Sequence, residues 1–332
     1  MAQTPQTDNH WIMNHTFSDE FNGFRKSIWR DLNTLLNPKT WGSEFFRPQN
    51  ITYGSGDGRF FLRLVAERVN GVSYTGGIET GFEKGYLGLG YGYYEIEARV
   101  LQTPNIVSGL WPAFWTIHGG KPSQPTPNCW YEEIDIFEPA NCQVRANKHH
   151  VGYWYRVNEN NSNIPPIKDS LTKHNVDMRL WHKYAIEWLP NRLTFYCDDE
   201  AFYVIGNGKR TPYHQNTNLL IDLQIDTIKS GWCPPNIYNG ILGYFDINYF
   251  RYYTLNCGNV VITEAQGNGY NFNNYAYDVK KSCIFKNTRI PSSTNITIRA
   301  TDFIELKENF EVPLGAELYL DVNPCDSGVT VY

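Results

Sequence analysis

No apolar run in this 332-residue chain approaches the ~18 residues that a bilayer-crossing helix needs, which excludes a helical membrane span. Basic residues do not predominate. Lys plus Arg number 29 against 34 Asp plus Glu, a formal charge of -5, so the chain is not built to coat nucleic acid. Charged residues reach only 19%, below the ~25% of an average soluble domain, and aromatics reach 15%, a balance that excludes disorder, coiled coil and collagen. No Cys-x-x-Cys pair occurs among Cys129, Cys142, Cys197, Cys233, Cys257, Cys283 and Cys325, which argues against a zinc ribbon or a thioredoxin-like centre. The odd number leaves at least one thiol outside any intrachain bridge. Long amphipathic helices and a repeat period are lacking too. Residues 1–10 carry neither a basic stretch nor an apolar one, so the chain as given starts without a secretory signal.

What the chain has in quantity is aromatic side chains: 10 Trp, 23 Tyr and 18 Phe. They serve either as strand-pairing core residues or as flat platforms for sugar rings. Arg59–Ala66, Gly92–Val100, Tyr184–Trp188, Arg192–Cys197 and Phe245–Tyr253 are rich in aromatic and β-branched residues, and several alternate with period two. Gly54–Gly58, Gly76-Gly77, Gly119-Gly120 and Asp198-Asp199 punctuate them as turns. Many short strands at this spacing predict an all-β sandwich of the jelly-roll type. A composition shift near Asn256 is followed by very short alternating segments, such as Ile296/Ile298 and Leu318/Leu320/Val322. The expected organisation is a disordered tail over 1–10, a jelly roll over 11–255 and a small β module over 256–332.

The informative stretch is Trp130-Tyr131-Glu132-Glu133-Ile134-Asp135-Ile136-Phe137-Glu138. Side chains of a strand alternate faces, so Glu133 and Asp135 share one face and Ile134 and Ile136 the other. Strict alternation would put Phe137, not Glu138, with the acids. A β-bulge at Ile136–Phe137 inserts one residue and returns Glu138 to their side. Such a face is either a solvated acidic strand or a catalytic one. Retaining glycoside hydrolysis needs a carboxylate nucleophile and a carboxylic acid roughly 5–5.5 Å apart. A third carboxyl between them raises one pKa and fixes a rotamer, since close like charges do not all ionise.

The stretch EIDIFE resembles the E-x-D-x-x-E signature of glycoside hydrolase family 16, in the lineage with a bulged catalytic strand. Its surroundings are similar as well: Phe17–Gly23, Arg47-Pro48-Gln49-Asn50 with Asp57-Gly58, Ser108–Trp115, Trp181–Trp188 and Phe245–Tyr253 follow in the family's order over residues 11–255. The resemblance implies a jelly roll with a concave substrate cleft and endo-acting, retaining hydrolysis of a β-linked polysaccharide. It implies Glu133 as nucleophile, Glu138 as acid/base and Asp135 as the assisting carboxylate, with Trp111, Trp115 and Trp130 as sugar platforms. No cofactor is expected for catalysis. A structural Ca²⁺ is implied at Asp246, with Glu20 and the Gly58 carbonyl as companions, because oxygen ligands suit that ion.

Departures from the family pattern leave the substrate open. Glu132 and Phe137 stand where many β-1,3-glucanases of the lineage have Gly and Met. A basic run, Arg145, Lys148, His149, His150 and Arg156, is either a solvated strand edge or a reader of sulfate on a galactan, with Arg145, His150 and Arg156 as its candidate substrate contacts. The segment WPAFW is closer to β-1,3-glucanases. The reading is therefore a hydrolase of β-1,3(4)-glucan, laminarin-like. The alternatives are an endo-hydrolase of an algal galactan (porphyran, agar or carrageenan) and a carbohydrate-binding jelly roll without turnover. The C-terminal segment resembles short β modules that end secreted enzymes, which points to a secreted or cell-surface protein whose signal has been removed. Its expected partner is a β-linked polysaccharide, met by a monomer, with no nucleic acid and no membrane span.

Overall fold

The computed structural model describes residues 11–32, 44–80, 87–104, 109–118, 131–156, 167–189, 192–206, 217–225, 238–255, 261–262, 280–322 and 329–331. The tail at 1–10, Trp130, and Cys129, Cys233, Cys257 and Cys325 lie outside them. Among the described residues the chain is almost wholly β, with 3-10 turns at Pro48–Asn50, Ala140–Cys142 and Val144–Ala146.

Two large sheets form the body. The first runs Glu200–Ile205, Arg192–Cys197, His182–Leu189, Gly92–Gln102, Gly240–Leu255, Arg59–Val69, Val72–Thr75 and Glu44–Phe46. Trp11–Met13 pairs with Gly240–Leu255, and Ile51–Gly56 with Arg59–Val69. The second runs Ile167–His174, Lys148–Arg156, Tyr131–Pro139, Leu110–His118, Asn218–Ile225, Gly77–Thr80 and Trp29–Asp31, with every neighbouring pair antiparallel. Strands far apart in the chain lie side by side, Leu110–His118 next to Asn218–Ile225 for one. This is the expected all-β jelly-roll sandwich.

Period-two alternation builds the core between the sheets. Leu62, Leu64 and Ala66 with Ile96, Ala98 and Val100 come from the first sheet, and Phe114, Ile134, Phe137, Val151, Leu219, Ile221 and Leu223 from the second. Each large side chain buried this way contributes about 1.5–3 kcal/mol. The alternate residues of the second sheet face outward, and that outer face holds the acids.

The C-terminal strands are built differently. Lys280–Phe285, Asn295–Leu306 and Glu317–Val322 pair in parallel, the first pair with a register shift between Lys280 and Ser282, around a separate cluster of Phe285, Ile290, Ile296, Ile298 and Ala300. Arg299 binds Asp321 at 2.9 Å and places its guanidinium 5.9 Å from the Tyr91 ring of the jelly roll.

Candidate active site

Strand Tyr131–Pro139 lies between Leu110–His118 and Lys148–Arg156, and its register with both shifts at one place. Glu133 and Asp135 pair with Trp154 and Gly152. The next pairs are Glu138 with His150 and Pro139 with His149, so the irregularity falls between Asp135 and Glu138. On the other side Trp115 pairs with Asp135 and Phe114 with Phe137, which leaves Ile136 as the extra residue. The bulge lets Ile134, Ile136 and Phe137 all enter the core, Phe137 stacking on Phe245, while Glu133, Asp135 and Glu138 stay on the outer face. Glu132 points the other way, buried, and accepts a hydrogen bond from the Tyr153 hydroxyl at 2.6 Å.

The acids differ in environment. Glu133 is half-buried, whereas Asp135 and Glu138 are buried. Burial pushes the Asp135 carboxyl well above the ordinary carboxylate range. The charge of Glu133 and a hydrogen bond shared with Glu133 push the same way, and the nearby Trp154 indole opposes them. Burial likewise pushes Glu138 well up, helped by the charges of Asp135 and Asp222 and opposed by a hydrogen bond from Trp111.

Two tryptophans expected to be sugar platforms act as donors. The Trp111 indole N–H donates to Glu138 Oε1 at 2.8 Å, and the Trp115 N–H donates to Asp222 Oδ2 at 3.0 Å. Trp111 stays half-buried on the acidic face. Trp115 is only 5% exposed, packed with Leu32, Phe46, Ala113 and Leu220, so its ring is floor rather than platform. Trp154 takes a place that the sequence reading missed. It shares the outer face with His150 and Gly152, beside Glu133, with the Lys168 ammonium 5.1 Å from its ring centroid. A Cβ on Gly152 would stand 3.1 Å from Trp154 Nε1, so a glycine there lets the indole lie against the strand. The signal was available: His150, Gly152 and Trp154 are alternate residues of one strand.

Two members of the basic run turn away from the acids. Arg145 is exposed and caps the carbonyls of Thr103 and Pro104 at 3.4 and 3.3 Å, pinning a loop instead of reaching the acids. His149 faces the core against Phe137, Tyr184 and Phe202, and burial pushes its pKa down to about 3. His150 does stand on the outer face, next to Glu138, with Nδ1 3.2 Å from Thr172 Oγ1. The Arg156 side chain lies outside the described residues. Of the run, Arg145 and His149 are thus corrected as sulfate contacts, whereas alternation keeps His150 on the side of Glu138.

The residues expected to hold Ca²⁺ do not fit a cation. Asp246 is fully buried, and both its oxygens are taken by guanidinium groups: Arg63 at 2.6 and 2.8 Å and Arg99 at 3.1 Å. Arg99 also binds Asp57, the neighbour of Gly58, at 2.6 Å, and Glu20 is engaged by Arg251 at 2.8 and 3.0 Å. Arginines supply the positive charge that an ion would bring. Among the described residues, His182, Cys197 and Asp198 bring ligand-type atoms within 4.8 Å of one another. Both ring nitrogens of His182 are engaged, Nδ1 with Asp198 Oδ2 at 2.6 Å and Nε2 with the Asp177 carbonyl at 3.1 Å, and the thiol is buried. That arrangement is an ion pair raising the His182 pKa.

Comparison with known proteins places these features in a family. The family model described as "Glycosyl hydrolases family 16" matches residues 43–225. The endo-1,3-1,4-beta-glycanase EglC of Rhizobium meliloti is 22% identical over 270 residues, covering 74% of this chain and 52% of that protein. The chain spans about half the length of the curated relatives it matches first. Among solved structures, a family 16 enzyme of the Bacteroides ovatus mixed-linkage glucan locus, in complex with a G4G4G3G product, superposes with a TM-score of 0.56 at 21% identity, over 71% of this chain and 99% of that one. The kappa-carrageenase of Pseudoalteromonas carrageenovora also gives 0.56, at 19% identity over 76% and 99%.

Proposed function

The chain belongs to glycosyl hydrolase family 16, and we propose that it is a retaining endo-glycosidase cutting internal linkages of a neutral β-1,3(4)-glucan. The observation that carries this reading is the row Glu133–Asp135–Glu138. It holds a half-buried carboxylate, a buried acid bonded to it, and a second buried acid whose pKa its surroundings push well up.

In the first step a Glu133 oxygen attacks the anomeric carbon while Glu138 gives its proton to the leaving glycosidic oxygen. The C–O bond breaks and a glycosyl ester forms on Glu133. In the second step Glu138, now ionised, takes a proton from water. The resulting hydroxyl displaces Glu133 and restores the starting configuration. Asp135, whose pKa burial and the Glu133 charge push well up, donates to Glu133 and holds its rotamer. As charge leaves Glu133 on ester formation, that bond weakens, which favours the carboxylate again in the second step.

Arg145 turned to a loop and His149 turned to the core support a neutral substrate. Lys168, beside Trp154 on the acidic face, supports the second reading, a galactan carrying anionic groups. Both glutamates are in place, which supports turnover over mere binding. The site falls within the jelly roll, and we place its boundary with the C-terminal module near residue 255. Cys142 is disulfide-bonded, which supports an oxidising, extracellular setting. Among the described residues no helix is long and apolar enough to cross a membrane. The test is product analysis on laminarin, mixed-linkage glucan, agarose, porphyran and carrageenans. Oligosaccharides of several lengths from the first two support the proposal. Cleavage of sulfated galactans alone replaces it with the second reading, and no cleavage of any overturns both.

A further inference from the structure

Three neighbouring strands carry a row of residues that the mechanism above uses only in part. Asn218–Ile225 pairs with Leu110–His118 so that Asp222 stands opposite Ala113. On the far side of Leu110–His118, Phe114 pairs with Phe137, and one step on places Ala113 beside Glu138. Asp222 and Glu138 thus flank the same alanine, two strand spacings apart, roughly 9–10 Å between backbones. Nothing larger than a methyl group stands between them in the row. The two residues at alternate positions on either side of Ala113 are Trp111 and Trp115, and each donates its indole N–H to one of these acids: Trp111 to Glu138 at 2.8 Å and Trp115 to Asp222 at 3.0 Å.

Asp222 is held from every side. It is fully buried, and its second oxygen accepts from Gln224 Nε2 at 3.2 Å. Gly77 lies against it on the next strand, where an added Cβ would stand 2.9 Å from Asp222 Cβ, so the backbone approaches closely. The charged and titratable groups facing it are Glu138 on the catalytic strand and Glu79 on Gly77–Thr80. Glu79 is ion-paired with Arg30 of Trp29–Asp31 at 2.6 Å. Among the described residues no cation pairs with Asp222 itself.

We propose that Asp222 is a positioning residue for the acid/base. It fixes the Trp115 ring as the floor of the site, and across Ala113 it presents a second carboxyl to Glu138. This rests on the assignment of Glu138 as the proton donor. Burial pushes Asp222 up to about 7, against the hydrogen bonds from Trp115 and Gln224, so its charge appears in the range where Glu138 must still hold a proton. The charge of Asp222 in turn raises Glu138.

The experiment reads Glu138 directly in the whole chain. Protein labelled with carboxyl ¹³C-glutamate is titrated by NMR, with Glu138 assigned by its loss in Glu138→Gln, and the wild type is compared with Asp222→Asn. Asparagine keeps the size and one acceptor but never ionises. The Glu138 midpoint should fall by about one pH unit, the effect of a unit charge at this separation for an effective dielectric constant near 20. Trp115→Phe, which keeps the ring and deletes the donor, should delay ionisation of Asp222 and lower the Glu138 midpoint in the same direction by less, and it serves if Asp222→Asn does not fold. An unchanged midpoint in the folded variant overturns the proposal. The readout needs no substrate, so this failure is distinct from a wild type that cuts no polysaccharide.

Discussion

The indole N–H of Trp111 donates to Oε1 of Glu138 at 2.8 Å from the adjacent strand. The contact fixes the acid's rotamer and pulls its pKa down against burial, so the carboxyl is both aimed and moderated. Trp111→Phe keeps an aromatic ring, smaller than the indole, but deletes the donor. A hydrogen bond to a group of this kind is worth about 1.5–3 kcal/mol, so kcat/KM should fall roughly 10- to 100-fold. The alkaline limb of the pH profile should move up, because Glu138 then holds its proton longer. A fall in rate with the limb unmoved would assign Trp111 to substrate stacking instead.

The buried acids also govern stability. The folded pKa values of Asp135 and Glu138 lie well above their ordinary 3.8 and 4.5. Their stability contribution is therefore fully present below those ordinary values and is lost as pH rises through the folded pKa. Asp135→Asn and Glu138→Gln cannot ionise, so calorimetry should show each raising Tm at pH 8 relative to wild type and leaving it unchanged near pH 3.5. An equal change at both pH values would mean that ionisation is not the cause.

Asp246 sits between Arg63 and Arg99 with no exposed surface, and the two arginines are only partly exposed. Asp246→Asn removes the negative charge that both guanidiniums face. Breaking a buried pair from one side costs about 3–5 kcal/mol, which denaturant unfolding would measure. Excess chelator should leave the wild-type Tm where it is. A chelator-induced drop that Asp246→Asn abolishes would restore an ion to this position.

The acidic face was legible because it depends on two local rules, alternation and one inserted residue, both contained within Glu133–Glu138. The sandwich was legible for the same reason, from strand-length alternation and turn residues. The fate of Trp115 was not, since it is decided by Asp222, 107 positions away in the chain. Asp246 looked like an ion ligand because Arg63 and Arg99 reach it only once three strands lie side by side. His149 and His150 are adjacent in sequence, yet the first enters the core and the second joins Glu138. Parallel pairing of the C-terminal strands was hidden too, because alternation reads the same in parallel and antiparallel sheets.

The central claim is that Glu133 forms a covalent bond to the sugar while Glu138 handles the proton. A 2-deoxy-2-fluoro β-glucan oligosaccharide bearing an activated leaving group slows the second step more than the first, so the glycosyl–protein ester should accumulate. Mass spectrometry of the intact chain and then of its proteolytic peptides locates the adduct. The account predicts one sugar per chain, in the peptide spanning residues 131–139, on Glu133, with no adduct in Glu133→Gln. An adduct on Asp135 or Glu138, or no adduct together with cleavage products of inverted configuration, would contradict it.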